Sequence, residues 1–116
     1  MPLCILNNVQ KFICGLDLGD RTEVTKTIED LIKRGIPFEN LLKSKAVKFI
    51  TYSGKRFFQL KIYCKDLDHR IHMVEIGGIY YLVNGFTKKS QKKEEELKKT
   101  VKKIKELEQY LRRHSK

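Results

Sequence analysis

The sequence predicts a small α+β domain with N-terminal helices, a four-stranded antiparallel sheet and a basic C-terminal helix. The chain has 116 residues, of which 41% are hydrophobic, enough for one domain with a modest core. Apolar residues recur at helical spacing near both ends of the chain and alternate with polar residues in between. The predicted divisions of the single domain, residues 1–116, are a helical part at 1–45, a sheet at 46–86 and a helix at 90–114.

The N-terminal part is predicted to hold two helical segments. A short strand or irregular segment precedes a helical turn around Val9 to Cys14. Asp20 is a good N-cap residue, and Glu23 follows three residues later as in a capping box. We therefore expect a helix from about Arg21 to Arg34, followed by a loop that begins at Pro37.

Four segments with a period of two predict the strands. A tight turn at Ser53-Gly54-Lys55 would join the first two strands, and a two-residue hairpin turn at Gly77-Gly78 would join the last two. Short connections imply antiparallel neighbours, because parallel strands need a long crossover. The predicted strands lie at 46–52, 56–64, 69–76 and 79–86.

A long helix is predicted from Ser90 to His114. Its apolar residues recur at spacings of three and four, which is typical of a helix with one buried face. The stripe could pack against the sheet of the same chain or form a coiled-coil seam, and the first is favoured because about two heptads are present. The stripe consists of Leu97, Val101, Ile104, Leu107 and Leu111.

The charge of the chain favours a polyanionic partner. The formal net charge is +11, and the segment from Thr87 to Lys116 contributes +7 of it, from 12 Lys+Arg and 5 Glu. Such a field suits nucleic acid, a ribosome or an acidic protein. The alternative is a soluble lysine-rich helix with no such role.

Several classes of protein are disfavoured by composition. No apolar run approaches the 18 residues of a membrane span, and the N-terminus lacks the basic region of a secretory signal. The three cysteines, Cys4, Cys14 and Cys64, contain no CxxC pair, which disfavours a disulfide scaffold or a zinc ribbon. We therefore expect a cytoplasmic protein.

If the helices cover one face of the sheet, the other face is free to bind a ligand. Alternation along the strands places a set of cations on that face, with aromatic residues Tyr63, Tyr80 and Phe86 nearby. Cations beside aromatic rings suit RNA, since charge holds phosphates and rings stack on bases. The alternative is an ordinary solvated sheet face. The expected cations at the edge of this surface are Lys55, Lys61, Arg70, His72 and Lys88. Lys55 and Arg56 sit at a turn, and Lys88 and Lys89 follow the last strand.

The segment from Phe58 to Gln91 resembles RelE/HigB-type toxins of bacterial toxin–antitoxin systems, notably the phage-derived HigB-like branch. The matching features are Phe58-Gln59-Leu60-Lys61, then His69-Arg70, the Gly77-Gly78 turn, and the run from Leu82 to Lys92, LVNGFTKKSQK. The GFTKKSQKK part of this run is the most specific. Including the preceding helices, the resemblance covers about residues 8–112.

The resemblance implies a RelE-like fold and a ribosome-dependent mRNA endoribonuclease that a cognate antitoxin silences. It implies no metal and no other cofactor. Three family positions differ: an arginine is replaced by Lys61, a tyrosine by His69 and a histidine by Asn84. Lysine lacks the bidentate fork of arginine, and asparagine cannot take part in acid–base catalysis.

Cleavage of this kind proceeds by attack of the RNA 2′-hydroxyl on the adjacent phosphorus. We expect Arg70 to hold the scissile phosphate, with Lys61 as a second cation and Lys88 or Lys89 near the leaving group. His72 is the candidate proton carrier, although a solvated or partly packed histidine is an equal alternative. His69 and His72 point to opposite faces, which disfavours a two-histidine metal site, and Cys64 is expected in the core. Further RNA contacts are expected from Lys55, Arg56, Phe86, Lys89 and Lys92.

Two other functions stay open. The substitutions at Lys61 and Asn84 suit a catalytically weakened RNA-binding or ribosome-binding protein of the same fold. Alternatively, the basic surface serves mainly to bind an acidic antitoxin. A DNA-binding repressor is disfavoured because no helix-turn-helix with a basic recognition helix is apparent.

Overall fold

The computed structural model describes residues 3–34, 47–64, 67–88 and 93–114. In this part of the chain, three helices surround a five-stranded mixed sheet with the strand order β1-β5-β4-β3-β2. No helix in the described ranges is long and apolar enough to cross a membrane. The helices are α1 (Asn7–Cys14), α2 (Leu18–Arg34) and α3 (Lys93–His114), and the strands are β1 (Leu3–Ile5), β2 (Val47–Tyr52), β3 (Lys55–Cys64), β4 (Leu67–Ile76) and β5 (Ile79–Thr87).

The predicted antiparallel meander forms the main part of the sheet. Strands β2 to β5 pair in chain order, and every pair is antiparallel. Ser53 and Gly54 both have positive φ, as do Gly77 and Gly78, which suits tight two-residue hairpins. The two predicted turns are thereby confirmed.

The fifth strand was not specifically predicted. β1 pairs in parallel with β5 through Leu3, Cys4 and Ile5, at the edge of the sheet. Three residues are too few to show a period of two, and the partner strand lies more than seventy residues away in the chain. The sheet is therefore mixed rather than purely antiparallel.

Helix α2 begins three residues earlier than the sequence predicted. The carboxylate of Asp17 accepts a hydrogen bond from the backbone N–H of Asp20 at 2.9 Å, as an N-cap residue does. Asp20 instead lies inside the first turn, 3% exposed, where its side chain contacts the sheet. The prediction that Asp20 caps the helix is therefore wrong. The predicted loop at Pro37 and the predicted helix start at Ser90 lie outside the described residues.

Both faces of the sheet are covered, in contrast to the expectation that one stays open. On one face, α1 and α2 pack through residues such as Val9 and Val24. On the other, Val101, Ile104 and Leu107 of α3 pack with apolar strand residues. That second strand face is itself partly apolar, and its burial offsets the cost of ordering the helix. The strand residues under α3 are Phe57, Val74, Tyr81 and Val83.

The predicted stripe of α3 therefore packs on the sheet of its own chain. Val101, Ile104 and Leu107 are buried, and Leu97 and Leu111 lie at the margin of the same cluster. This favours intrachain packing over a coiled-coil seam. The expectation that all helices cover the same face of the sheet was wrong, because α3 packs on the face that carries Arg70 and His72.

We predict that Gly85→Ala destabilises the fold. A Cβ at Gly85 would lie 2.6 Å from Cδ2 of Phe12, so the ring or the strand must shift. Such overpacking costs about 1–3 kcal/mol, measurable by urea denaturation. Gly19→Ala is the matched control, because its Cβ would approach no atom closer than 3.7 Å. Stability that is unchanged in Gly85→Ala would contradict the close approach of Phe12.

Candidate functional site

The pairing of β3, β4 and β5 arranges the face that carries α3 in rows of side chains. One row is Lys61, Arg70 and Phe86, since Lys61 pairs with Arg70 and Arg70 with Phe86. These neighbours lie within the reach expected of cross-strand pairs. Three of the predicted site residues are thus brought together by register alone. The next row toward the hairpin of Gly77 is Gln59, His72 and Asn84.

A bulge in β5 contributes to the second row. His72 pairs with Asn84, whereas the following residue, Met73, pairs with Leu82, so Val83 is an extra residue on β5. Val83 joins the core under α3 while Asn84 bonds to that helix. Because of the bulge, the side chains of the successive residues Val83 and Asn84 both contact α3.

His72 lies in a closed polar network beneath α3. Its Nδ1 is hydrogen-bonded to Oγ1 of Thr100, and its Nε2 lies 3.0 Å from Oε1 of Gln59. The side chain of Asn84 donates to Oγ1 of Thr100 at 3.1 Å and to the backbone carbonyl of Glu96 at 3.2 Å. His72 and Thr100 are 0% exposed. The expected surface proton carrier is therefore sealed from solvent by the helix.

Burial also holds His72 neutral. Desolvation, reinforced by the charge of Arg70, lowers the pKa of His72 from 6.5 to about 3. A neutral imidazole has one N–H donor and one acceptor nitrogen. Nε2–H can therefore donate to the amide oxygen Oε1 of Gln59 while Nδ1 accepts from the hydroxyl of Thr100. The ring is fully buried, which goes beyond the solvated or partly packed histidine that the sequence left as the alternative to a proton carrier.

The other end of the same face is not covered by the described part of α3. Tyr63 is 68% exposed, Lys88 is exposed, and Lys61 and Phe86 are partly exposed. Lys88 lies beside the start of β4, because its backbone N–H donates to the carbonyl of Asp68 at 2.7 Å. We call this surface the open patch, defined as Lys61, Tyr63, Asp68, Arg70, Phe86 and Lys88.

Arg70 is the least exposed cation of the open patch. Its Nε and Nη2 donate to the two carboxylate oxygens of Asp68 at 3.3 and 3.0 Å, and the residue is 6% exposed. Two bonds to one carboxylate fix the guanidinium plane, and the fork has further N–H donors. Asp68 was not among the predicted site residues. Its spacing of two from Arg70 on one strand could have revealed it.

The remaining predicted RNA contacts lie elsewhere. Lys55 forms an ion pair with Glu108 of α3 at 2.6 Å. It lies six residues before Lys61 on β3, roughly 20 Å away at the usual rise of a strand. Arg56 is exposed at that same far end and, by alternation, on the opposite face. Neither belongs to the open patch. Lys89 and Lys92 lie outside the described residues.

The opposite face, at the same end of the sheet, holds a second polar cluster. Nε2 of His69 lies 2.7 Å from Oδ2 of Asp20, and its Nδ1 lies 2.8 Å from Oγ1 of Thr87. His69 is 0% exposed, so the ring is held on both sides within the protein. The sequence predicted the opposite orientations of His69 and His72 but not their partners.

A groove of about 830 Å³ lies on another part of the molecule, between α1 and the second half of α3. Its walls include Leu6, Lys11, Tyr81 and Tyr110. Among the described residues, none of the predicted site residues lines it. The candidate site is therefore a surface of the sheet rather than this cavity.

We predict that acidification destabilises the protein through His72. Its pKa is about 3 in the folded chain and about 6.5 when unfolded, so protons bind the unfolded chain preferentially. The stability that His72 contributes is complete above pH 6.5 and is lost as the pH falls toward 3, on the order of a few kcal/mol. The positive charge of Arg70 further disfavours a protonated His72. The carboxylate of Glu96 accepts a hydrogen bond from Asn84.

Chemical denaturation at pH 7.5, 6 and 4.5 measures this effect. The native chain should lose more unfolding free energy over this range than His72→Gln, although carboxylates titrate in both. His114→Gln replaces an exposed histidine and should follow the native chain. Equal pH dependence in native protein and His72→Gln would contradict the burial of a neutral ring.

Comparison of the chain with protein-family models, with curated protein sequences and with solved structures finds no match in any of the three. The likeness to RelE/HigB toxins therefore stays a prediction made from the residues themselves.

Proposed function

We propose that the open patch binds RNA and that the protein acts as the toxin of a toxin–antitoxin system, cutting mRNA on the ribosome. The observation that supports this proposal best is that β3, β4 and the end of β5 place Lys61, Arg70 and Lys88 close to Tyr63 and Phe86. Lysine and arginine bind phosphates, and exposed rings stack on bases. The net charge of +11 would speed the encounter with RNA.

The fixed guanidinium of Arg70 is the best candidate to hold the scissile phosphate. Asp68 orients it before RNA arrives, so less order has to be created on binding. Lys61, its cross-strand neighbour, supplies a second positive charge to the phosphoryl oxygens. One such contribution is worth about 10²–10³-fold in rate. Lys88 would neutralise the leaving side or a flanking phosphate.

Catalysis in this proposal rests on charge rather than on histidine. The bond from the 2′-oxygen to phosphorus forms as the bond from phosphorus to the 5′-oxygen breaks, the 2′-hydroxyl proton passes to water, and the leaving 5′-oxygen takes a proton from water. His72 is buried under α3 and neutral, so in this proposal it does not exchange protons with RNA. Its ring contacts Phe86, with centroids 5.1 Å apart, and so supports the patch from below. We assign His72 a positioning role for Phe86.

A second candidate function is RNA or ribosome binding without cleavage. Among the described residues, no imidazole lies at the open patch, and the amide of Asn84, which stands at the family's histidine position, bonds to α3. Binding without the appearance of new RNA ends would identify this function.

The proposed partners follow from the same resemblance. They are mRNA on the ribosome and a cognate antitoxin, in the cytoplasm, with no cofactor required for the cleavage step. An acidic antitoxin would also be favoured by the positive charge of α3 and its flanks.

We predict that Arg70→Ala lowers RNA cleavage by about 10²-fold in a ribosome-supplemented assay, because the phosphate loses its main cation. Arg56→Ala is the matched control, since it removes an exposed arginine from the far end of β3. Far-UV circular dichroism and thermal unfolding should accompany both variants. Tyr63→Ala, which changes a highly exposed side chain, tests the patch if Arg70→Ala does not fold. Cleavage that is unchanged in both patch variants would refute the proposed site.

We predict that Asp68→Asn strengthens RNA binding, by about threefold to tenfold at low salt, because a negative charge beside the phosphate site is removed.

We predict that Lys88→Ala weakens binding for all RNA sequences alike. The slope of log affinity against log salt concentration should flatten by about 0.7 for each phosphate that is no longer neutralised. Fluorescence anisotropy with a short single-stranded RNA at several salt concentrations measures both. Weaker RNA binding by Asp68→Asn would contradict the prediction. It would show that the orientation of Arg70 by Asp68 matters more for binding than the negative charge of Asp68.

A further inference from the structure

Three elements bring metal-ligating side chains together on the face opposite the open patch. Asp20 comes from the first turn of α2, Cys64 from the end of β3 and His69 from β4. One ligand atom from each lies within 4.8 Å of the other two. All three are buried, at 3%, 5% and 0% exposure.

A carboxylate, a thiolate and an imidazole are the three ligand types that zinc uses in proteins. In a tetrahedral site the ligand atoms lie about 3.3–3.7 Å apart, given zinc–ligand bonds of about 2.0–2.3 Å. Nε2 of His69 lies 2.7 Å from Oδ2 of Asp20, and all three ligand atoms lie within 4.8 Å of one another, so small side-chain shifts reach this spacing. We propose that Asp20, Cys64 and His69 bind a divalent transition metal ion of the zinc class, with a water or another protein atom as fourth ligand.

Charge balance supports the assignment. A dication with one carboxylate, one thiolate and one neutral imidazole gives a site of zero net charge. A carboxylate ligand as buried as Asp20 gains from a compensating positive charge, which a bound metal ion would provide. Without metal, Nε2 of His69 lies 2.7 Å from Oδ2 of Asp20, so these two side chains already face each other.

Thr87 completes the geometry. When a metal is bound, Nδ1–H of His69 would donate to Oγ1 of Thr87, 2.8 Å away, which leaves the lone pair of Nε2 for the metal. In the metal-free protein, the 2.7 Å contact between Nε2 and Oδ2 of Asp20 requires a hydrogen on one of these two atoms. Metal-binding histidines generally donate their other ring N–H to such a partner, which fixes the tautomer and the ring. Thr87 is thus a positioning residue for the proposed ligand.

The cluster lies near the surface at the end of the β3–β4 pair. Leu67, the strand neighbour of Cys64, is 45% exposed, so an ion has a short path to the ligands. The ligands are separated by 43 and 4 intervening residues, a spacing that matches no sequence motif. This explains why the sequence predicted Cys64 as a core residue and no metal.

The site stands independently of the proposed RNA function. His69 and Thr87 are direct neighbours in sequence of Arg70, Phe86 and Lys88, which point to the other face. A metal ion would therefore stiffen the strands beneath the open patch without contacting RNA.

Cobalt(II) binding tests the proposal. Cys4 and Cys14 are exposed, so the Cys4→Ser, Cys14→Ser double variant removes competing thiols and leaves Cys64 as the sole cysteine. Addition of Co²⁺ to this metal-free protein should give a thiolate-to-cobalt charge-transfer band and tetrahedral visible bands that saturate at one ion per chain. Zn²⁺ should displace the cobalt and raise the thermal midpoint.

Matched variants in the same background locate the ligands. Cys64→Ser should abolish the charge-transfer band, and Thr87→Val should weaken Zn²⁺ binding by about 10- to 100-fold. Circular dichroism of each variant without metal checks folding. The proposal is overturned if the double variant gives no charge-transfer band, or if Cys64→Ser in a folded protein keeps it. In either case Asp20 and His69 form a buried hydrogen-bonded pair and nothing more.

Discussion

The hydrogen bonds among Gln59, His72, Asn84 and Thr100 determine where α3 lies on the sheet. Each of these polar groups is buried, and each would cost free energy without its partner. A shift of the helix by one turn would break the bonds to Thr100 while its apolar stripe could still find apolar contacts. Directional bonds therefore fix a helix that hydrophobic packing alone would leave less specified.

This position of α3 decides which part of the sheet can meet a ligand. Beyond the polar row, Lys88 and the ring of Tyr63 are exposed at one end of the sheet and Lys61 is partly exposed, whereas Arg70 is 6% exposed and lies against Asp68. The same strand ends carry His69 and Thr87 on the other face, where His69 is hydrogen-bonded to both Asp20 and Thr87. The strands that carry the open patch are thus held in place by contacts on their opposite face, which restricts the positions available to the side chains of the open patch.

Much of the sheet could be predicted from the sequence, because alternation and glycine turns are local signals. Gly77 and Gly78 need positive φ, and the register of β4 and β5 follows from their tight turn. The coverage of both faces could not be predicted in this way, since Val74 and Arg70 share one face and the pattern does not say which of them a helix covers. The accessible cations Lys61 and Lys88 were predicted correctly as neighbours of Arg70, whereas the burial of His72 depends on Thr100, 28 residues away. Long-range partners of this kind leave no periodic trace in a single sequence.

Photocrosslinking to 4-thiouridine RNA, followed by mass spectrometry of the protein, tests the central claim most directly. If RNA lies across the uncovered end of the sheet, crosslinks should concentrate on the peptides that contain Tyr63 and Phe86, and excess unlabelled RNA should suppress them. Crosslinks confined to α3, with those two peptides unmodified, would contradict the account.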